Sequence, residues 1–415
     1  MNFFYNLLIS VFNALLPVIG VISPKLTLFV KGRRTVFEVL EKSLKIEDRV
    51  IWFHCASLGE YEQGVPVMEM MKSTYPDHKI LVTFFSPSGY EVKKNSTLAD
   101  VIVYLPIDTM TNARKFIKLV QPELAVFVKY EFWPNYLMEL KKNVIPITII
   151  SAAFREDQAF FRWYGGFMRN ALKTVDHFFV QDATSKGLLN QVGFSNVTVS
   201  GDTRFDRVSH QIEMNNQVDF ISEFIGDRLC IVIGSSWTED EEVFLDFVNQ
   251  VANDLCFIIA PHEIKDNGVQ SLKQKLTKKT VLFSEKEGKN LNDYQVFVMN
   301  TIGYLSRVYS YADIAYVGGA MGTSGLHNIL EPATFGIPII IGQHFEKFGE
   351  AKQLQKLAGL FSISNASEFS NIMNKLIENK KYRQQTGMIA GHFINSNTGA
   401  TDIIVKYLAD NLDTT

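Results

Sequence analysis

Short apolar runs alternate with polar-punctuated helical segments along almost the whole chain. In the first half the runs are VIWFH from Val50, KILVTFF from Lys79, VIVYL from Val101, LAVFV from Leu124, IPITII from Ile145, HFFV from His177 and VTVS from Val197. In the second half they are LCIVIG from Leu229, LCFIIAP from Leu255, TVLF from Thr280, VFVM from Val296, IAYVGG from Ile314 and IPIIIG from Ile337. The runs are continuous and β-branched rather than alternating, as expected of parallel strands covered on both faces by helices. The rhythm occurs twice, which predicts an α/β chain of two Rossmann-like, doubly wound parallel-sheet domains. In such sheets ligands lie outside the carboxyl ends of the strands, and the cleft between two such domains is the natural site.

The first apolar run breaks this rhythm. Phe3 to Ile22 carries no charge, approaches the length that spans a bilayer, and contains Asn6, Asn13 and Pro17. It is followed by Lys25, Lys31, Arg33 and Arg34, which the positive-inside rule keeps on the cytoplasmic side. A helix in the membrane, one lying on it, and the buried core helix of a soluble protein all fit this composition. The expected division is a membrane-associating segment over 1–30, a first Rossmann-like domain over 31–205, a linker over 206–228, a second such domain over 229–395, and a helix over 396–415 free to cross back to the first domain.

With 415 residues and 47% hydrophobic content the chain has ample core for two domains, and its net charge of −3 offers no basic field for nucleic acid. Cys55, Cys230 and Cys256 lie far apart in apolar runs and read as buried thiols of a reducing compartment. No D-x-D triplet and no H-x-x-x-H pair occurs, so no metal is expected.

Chemistry-bearing residues follow the strands. After VIWFH come Ser57, Gly59, Glu60 and Glu62; Ser57 and Glu60 have capping-box spacing, yet a carboxylate there is also placed to take a proton from a hydroxyl. After LAVFV, Glu131 stands beside Phe132 and Trp133, whose apolar surface would raise its pKa; the plainer role is a helix N-terminal carboxylate. In GSSWTEDEE, Thr238 and Glu241 have capping spacing and the acids suit the helix dipole, while the NH groups of Gly234, Ser235, Ser236 and Trp237 form a candidate anion site. The loop VGGAMGTSGLHNILEP places Gly319, Gly322 and Gly325 where a backbone could approach a ligand, and Glu331 where it could accept bonds from sugar hydroxyls. No dinucleotide or Walker motif matches.

Taken together, KGRR at 31–34, WFHCASLGE, YEFWPN, GSSWTEDEE, IAPHE and VGGAMGTSGLHNILEPATFGIPIIIGQH resemble the Kdo transferases of lipopolysaccharide synthesis, metal-independent GT-B glycosyltransferases of family 30. Leu58, Leu326, Ile329 and Gln343 depart from the family's usual Val, Gly, Pro and Pro, and APHE stands where APRH is usual. The resemblance implies inverting transfer of Kdo from CMP-Kdo to the lipid A precursor at the cytoplasmic face of the inner membrane. It assigns Glu60 as the base and Glu131 as a second essential acid. The donor side would comprise Arg204, Gly234 to Trp237, Pro261, His262, Gly319, Met321, Gly322, Gly325, His327, Asn328 and Glu331, with His344 retained nearby. Lys31, Arg33, Arg34, Ser57 and Gly59 would face the acceptor. The alternatives are a GT-B enzyme using a UDP-sugar, either an N-acetylglucosaminyl transferase or an epimerase, and a catalytically inactive membrane-tethered binding protein.

Overall fold

The computed structural model describes residues 2–129, 131–252 and 254–413, so Tyr130 of the YEFWPN motif lies outside the described residues. The chain forms two compact units, one running up to Arg207 and resuming from Thr398, the other Val208–Asn397.

The first unit holds a seven-stranded sheet of β1 (Arg49–Cys55), β2 (His78–Phe84), β3 (Val101–Tyr104), β4 (Leu124–Val128), β5 (Ile147–Ala152), β6 (His177–Val180) and β7 (Val197–Val199). The order is β3-β2-β1-β4-β5-β6-β7 and every pairing is parallel. Ile51, Trp52, Phe53, Leu124, Val126 and Phe127 have no exposed surface. Each such side chain contributes about 1.5–3 kcal/mol by leaving water, which explains why these runs carry no polar alternation. Trp52 anchors one face against Phe116, Phe127 and Tyr136 at ring separations of 4.9, 5.2 and 5.9 Å. On the other face the last helix, Ala400–Leu412, inserts Ile404, Leu408 and Leu412 among core residues of helix Leu58–Thr74.

The second unit repeats the plan with β8 (Leu229–Ser236), β9 (Leu255–Pro261), β10 (Thr280–Leu282), β11 (Val296–Val298), β12 (Ile314–Val317), β13 (Ile339–Ile341) and β14 (Leu360–Ser362), in the order β10-β11-β9-β8-β12-β13-β14. All pairings are again parallel. The chain winds outward from β1 in one direction and restarts at β4 in the other; the same reversal falls between β8 and β12. These two switch points are where crevices open at the carboxyl edge of a doubly wound sheet.

Three features differ from the sequence reading. β14 was not expected, because only Leu360 of its three residues is fully buried and the run is too short to stand out. The linker expected over 206–228 is not a bare connection: helix Asp219–Ile225 buries Ile221, Phe224 and Ile225 in the core of the second unit. The N-terminal run forms two helices, Asn2–Ile19 and Pro24–Arg34, bent by 117° where Ser23 caps the second, and among the described residues no single helix is long and apolar enough to cross a membrane. The first of them is tied down by polar contacts: the Tyr5 hydroxyl donates to Asp108 Oδ2 at 2.6 Å, and Asn135 Nδ2 donates to Asn6 Oδ1 at 2.8 Å. Its opposite side leaves Phe4, Leu8 and Val18 about two-thirds exposed, at 67%, 70% and 69%.

Candidate active site

At the switch point of the first sheet, β1 ends at Cys55 and its turn starts helix Leu58–Thr74 with Ser57 as N-cap. Glu60 Oε2 accepts from the Ser57 NH at 2.6 Å and from the Ser57 hydroxyl at 3.0 Å, so the capping geometry is present. Both bonds use one oxygen, which fixes the carboxylate and leaves Oε1 for another partner. Gly59 is exposed, and a Cβ there would meet only the Ser57 hydroxyl among the described residues, at 4.0 Å. Glu62 is engaged elsewhere, paired with Lys93 Nζ at 3.0 Å and with Arg207.

Glu131 follows β4 on the adjacent strand. Burial, and then the nearby Glu60 carboxylate, push its pKa up to about 7, while Lys129 acts in the opposite direction. One carboxyl group of the pair therefore holds or releases its proton near neutrality, which suits acid–base work. Lys129 sits in the left-handed region at φ 68°, a conformation costly for a non-glycine residue, where the chain turns out of β4. Sequence reading missed Lys129; its position two residues before Glu131, at a strand end, was the available signal.

The loop carrying Glu131 is held from beneath. Trp133 Nε1 donates to His54 Nε2 at 3.0 Å, and His54 Nδ1 meets Thr83 Oγ1 at 2.8 Å. His54 is fully enclosed and burial lowers its pKa to about 3, so it is neutral with its proton on Nδ1. Asp108 accepts from the NH groups of Asn135 and Tyr136, both at 3.1 Å, capping helix Pro134–Lys142 just beyond the loop.

The cations near this unit divide. Lys31 and Arg34 are exposed. Arg33, expected to hold an acceptor phosphate, is instead a structural tie: its guanidinium donates to the carbonyls of Leu105 (3.0 Å), Phe29 (3.0 Å) and Phe85 (2.7 Å) and lies 3.6 Å from the Phe29 ring centroid. Its planar fork is spent on the strand ends of β2 and β3. Arg204, expected with the donor-side residues, belongs to the first unit and pairs with buried Asp202, Nε to Oδ2 at 2.8 Å. Asp202 also accepts from Gln63 Nε2 at 3.1 Å.

At the switch point of the second sheet, β8 leads into helix Thr238–Gln250, whose N-cap is Trp237. The capping partners are Trp237 and Asp240 rather than Thr238 and Glu241, one residue earlier than the spacing suggested. The candidate anion site is also partly filled from within: the Trp237 NH donates to Asp240 Oδ2 at 2.8 Å. Asp240 has no exposed surface and also receives the Gly319 NH (2.9 Å) and the Tyr316 hydroxyl (2.6 Å), so it joins the β8 turn to the loop after β12. Gly319 has φ 94°, and a Cβ there would overlap the Gly325 carbonyl, which is why this crossing is glycine.

Above these turns three rings stack. Trp237 lies 4.4 Å from His262, which lies 4.4 Å from His327, and Trp237 Nε1 donates to His327 Nε2 at 3.2 Å. Burial and then His262 lower the His327 pKa to about 4, so it is neutral and presents an Nδ1–H. Pro261 ends β9, and the next NH, of His262, bonds the Ser236 carbonyl at 2.9 Å. The Ser236 hydroxyl is buried without a partner among the described residues. Met321 packs partly against the core, Gly322 adjoins Glu239, and exposed His344 donates its NH to the Ala320 carbonyl at 2.9 Å. Asn328 Nδ2 reaches Glu331 Oε1 at 3.2 Å in the first turn of helix Leu330–Thr334.

A cavity of about 310 Å³ opens here, lined by Ser235, His327, Asn328 and Glu331 and also by Gly303, Ser306 and Tyr309. The last three were not singled out from the sequence, although they follow VFVM and the strand-end rule pointed to them. Ser235, in the left-handed region at φ 54°, is a strained non-glycine residue at the cavity edge. Among the described residues no three His, Cys, Asp or Glu side chains converge as a metal site requires.

Residues 31–207 match the family described as 3-Deoxy-D-manno-octulosonic-acid transferase (kdotransferase). The 3-deoxy-D-manno-octulosonic acid transferase of Haemophilus influenzae is 27% identical over 380 residues, covering 87% of this chain and 88% of that protein. The enzyme of the same description from Aquifex aeolicus is 27% identical over 357 residues, 83% of this chain and 92% of its own. Among solved structures, UDP-GlcNAc 2-epimerase from Neisseria meningitidis superimposes with a TM-score of 0.63 at 16% identity, over 87% of this chain and 100% of that one. MurG from Acinetobacter baumannii gives 0.53 at 14%, over 88% and 99%. At such identities these two establish the shared two-domain GT-B fold alone.

Proposed function

From the match of residues 31–207 and the likeness of most of the chain to Kdo transferases, we propose that it is one of them and transfers Kdo from CMP-Kdo to the lipid A precursor with inversion, without a metal, at the cytoplasmic face of the inner membrane. The observation that carries the mechanism is the pair of acids at the switch point of the first sheet, with Glu131 raised to about 7 beside Glu60.

Glu60, oriented by Ser57 through Oε2, takes the proton of the acceptor hydroxyl. The freed oxygen forms a bond to the anomeric carbon of Kdo while the bond from that carbon to the CMP phosphate oxygen breaks, and CMP leaves with the electron pair. Glu131 in its protonated form donates a hydrogen bond at the reacting centre, a role its raised pKa supports. Donor recognition falls to the second unit, where the Gly319 loop, neutral His327 and Glu331 offer backbone and side-chain hydrogen bonds. Stabilisation of the departing phosphate by fixed dipoles and NH groups requires no divalent ion.

The membrane reading is supported by the exposed apolar side of helix Asn2–Ile19, by Val21 and Ile22 at the bend, and by exposed Lys25, Lys31 and Arg34 on the adjoining helix. Such a helix lies in the interface with its apolar face in the acyl boundary, and basic residues add attraction to anionic lipid. Asp108 links this helix to the Glu131 loop through Tyr5 and Asn135.

The test is incubation of the full chain with a tetra-acylated disaccharide bisphosphate and CMP-Kdo generated in situ, with EDTA present, followed by mass spectrometry of the acceptor. A mass increase of one or more Kdo units supports the donor, acceptor and metal assignments together. Absence of product beside a working control transferase overturns them, and product that appears only with added Mg²⁺ overturns metal independence alone. Sedimentation with anionic against neutral vesicles tests the surface assignment separately.

A further inference from the structure

Helix Asn2–Ile19 lies outside the segment 31–207 that matches the transferase family, and no step of the proposed chemistry uses it. Its polar contacts nevertheless converge on one place, the start of helix Pro134–Lys142. The Tyr5 hydroxyl donates to Asp108 Oδ2, and the same carboxylate accepts the NH groups of Asn135 and Tyr136, which follow Pro134. The Asn135 amide donates to Asn6 Oδ1 and to the Asp108 carbonyl. Asp108 is 1% exposed, so this is a buried clasp between two helices rather than a surface contact. Only Phe132, Trp133 and Pro134 separate Glu131 from Asn135, and the proline fixes its own φ.

A second route reaches the same loop from the adjoining helix. The Phe29 ring lies 5.3 Å from Phe85, and Phe85 lies 4.6 Å from Trp133. The Glu131 loop is thus held from both N-terminal helices, by a hydrogen bond to a carboxylate through one and by packed rings through the other. Hydrogen bonds to an ionised group are the strong and geometrically demanding ones. A displacement of about 1 Å in a catalytic group can cost about a hundredfold in rate, even when the change lies far from the chemistry. We propose that Tyr5 is a positioning residue for Kdo transfer: through Asp108 it fixes the start of helix Pro134–Lys142, and with it the loop that carries Glu131. The assignment rests on the reading of Glu131 as the second acid. It gives helix Asn2–Ile19 two working sides, an apolar one turned outward and a polar one that sets the acid.

The test compares the full chain with Tyr5→Phe, which keeps the ring that lies 5.2 Å from Phe167 and removes only the hydroxyl. Transfer from CMP-Kdo to a tetra-acylated disaccharide bisphosphate in neutral detergent is measured across pH, and CMP binding is measured by calorimetry. The expected result is kcat lowered about tenfold, with KM for both substrates and the affinity for CMP within about twofold of wild type. The decline of transfer with rising pH, set near 7 by Glu131 in the wild type, should move to about 6. Its cause is water reaching the loosened Glu131 carboxyl, which relieves the burial that raises it most, while Glu60 and Lys129 still act on it. An unchanged kcat, a raised KM at unchanged kcat, a matching loss of CMP affinity, or a lowered kcat with the pH profile in place overturns the role of Tyr5 and leaves the transferase reading standing. If the wild type transfers no Kdo, the transferase reading and this inference fall together.

Discussion

At the carboxyl edge of the first sheet the groups that matter are two carboxylates; at the same edge of the second they are glycines, stacked rings and hydroxyls. Both edges are switch points of doubly wound sheets, between β1 and β4 and between β8 and β12. The acid at the first turn of the leading helix shows how they differ. Among the described residues the Glu60 carboxylate accepts from the NH and hydroxyl of Ser57, both through one oxygen, whereas Asp240, at the equivalent place in the second unit, gathers Trp237, Gly319 and Tyr316 and is fully buried. The same capping geometry leaves a carboxylate held through one oxygen in one unit and a structural clasp in the other. What separates them is the number of donors folded onto the carboxylate.

The largest expected effect breaks the first edge. Glu60→Ala should lower single-turnover transfer by about a thousandfold, within the range for loss of a general base, and cost about 1 kcal/mol of stability through the lost cap. Next is Glu131→Gln. The wild-type carboxyl is neutral below pH 4.5 and charges as pH rises through about 7, so burial of the charge progressively costs stability over that window. The variant should therefore match wild type at pH 4 and exceed it at pH 8 by up to about 3 kcal/mol in chemical denaturation. Its activity should be lower throughout and lack the wild-type decline above pH 7.

Gly319→Ala breaks the second edge. A side chain there must adopt φ 94° and meet the Gly325 carbonyl, so CMP affinity in calorimetry should drop by about tenfold, the equivalent of 1–2 kcal/mol of strain. Transfer at saturating donor should fall far less. The smallest effects concern the cations. Lys31→Ala and Arg34→Ala should each weaken binding to anionic vesicles by about 1 kcal/mol, and that loss should shrink with salt, without moving Tm. Arg33→Lys should lower Tm instead, because an ammonium cannot serve three carbonyls in one plane.

Much of the fold was legible because parallel strands buried on both faces leave long apolar runs, and all the expected strands are present. β14 escaped because three residues with one buried side chain make no run. The strand-end rule pointed to Glu60, Glu131 and the Gly319 loop, and the structure sets each of them just beyond the carboxyl end of its strand. It did not reveal what each partner would be. Arg33 looks like a free cation in KGRR until three carbonyls from distant positions close on it. Thr238–Glu241 and Trp237–Asp240 are equally good capping pairs by spacing, and only the end of β8 at Ser236 decides the register.

The division of labour between the two edges is tested most directly by measuring CMP affinity and single-turnover Kdo transfer together on Glu60→Gln. The predicted result is CMP affinity within about twofold of wild type and transfer lowered by about a thousandfold. Transfer close to wild type would contradict the assignment of Glu60 as the base.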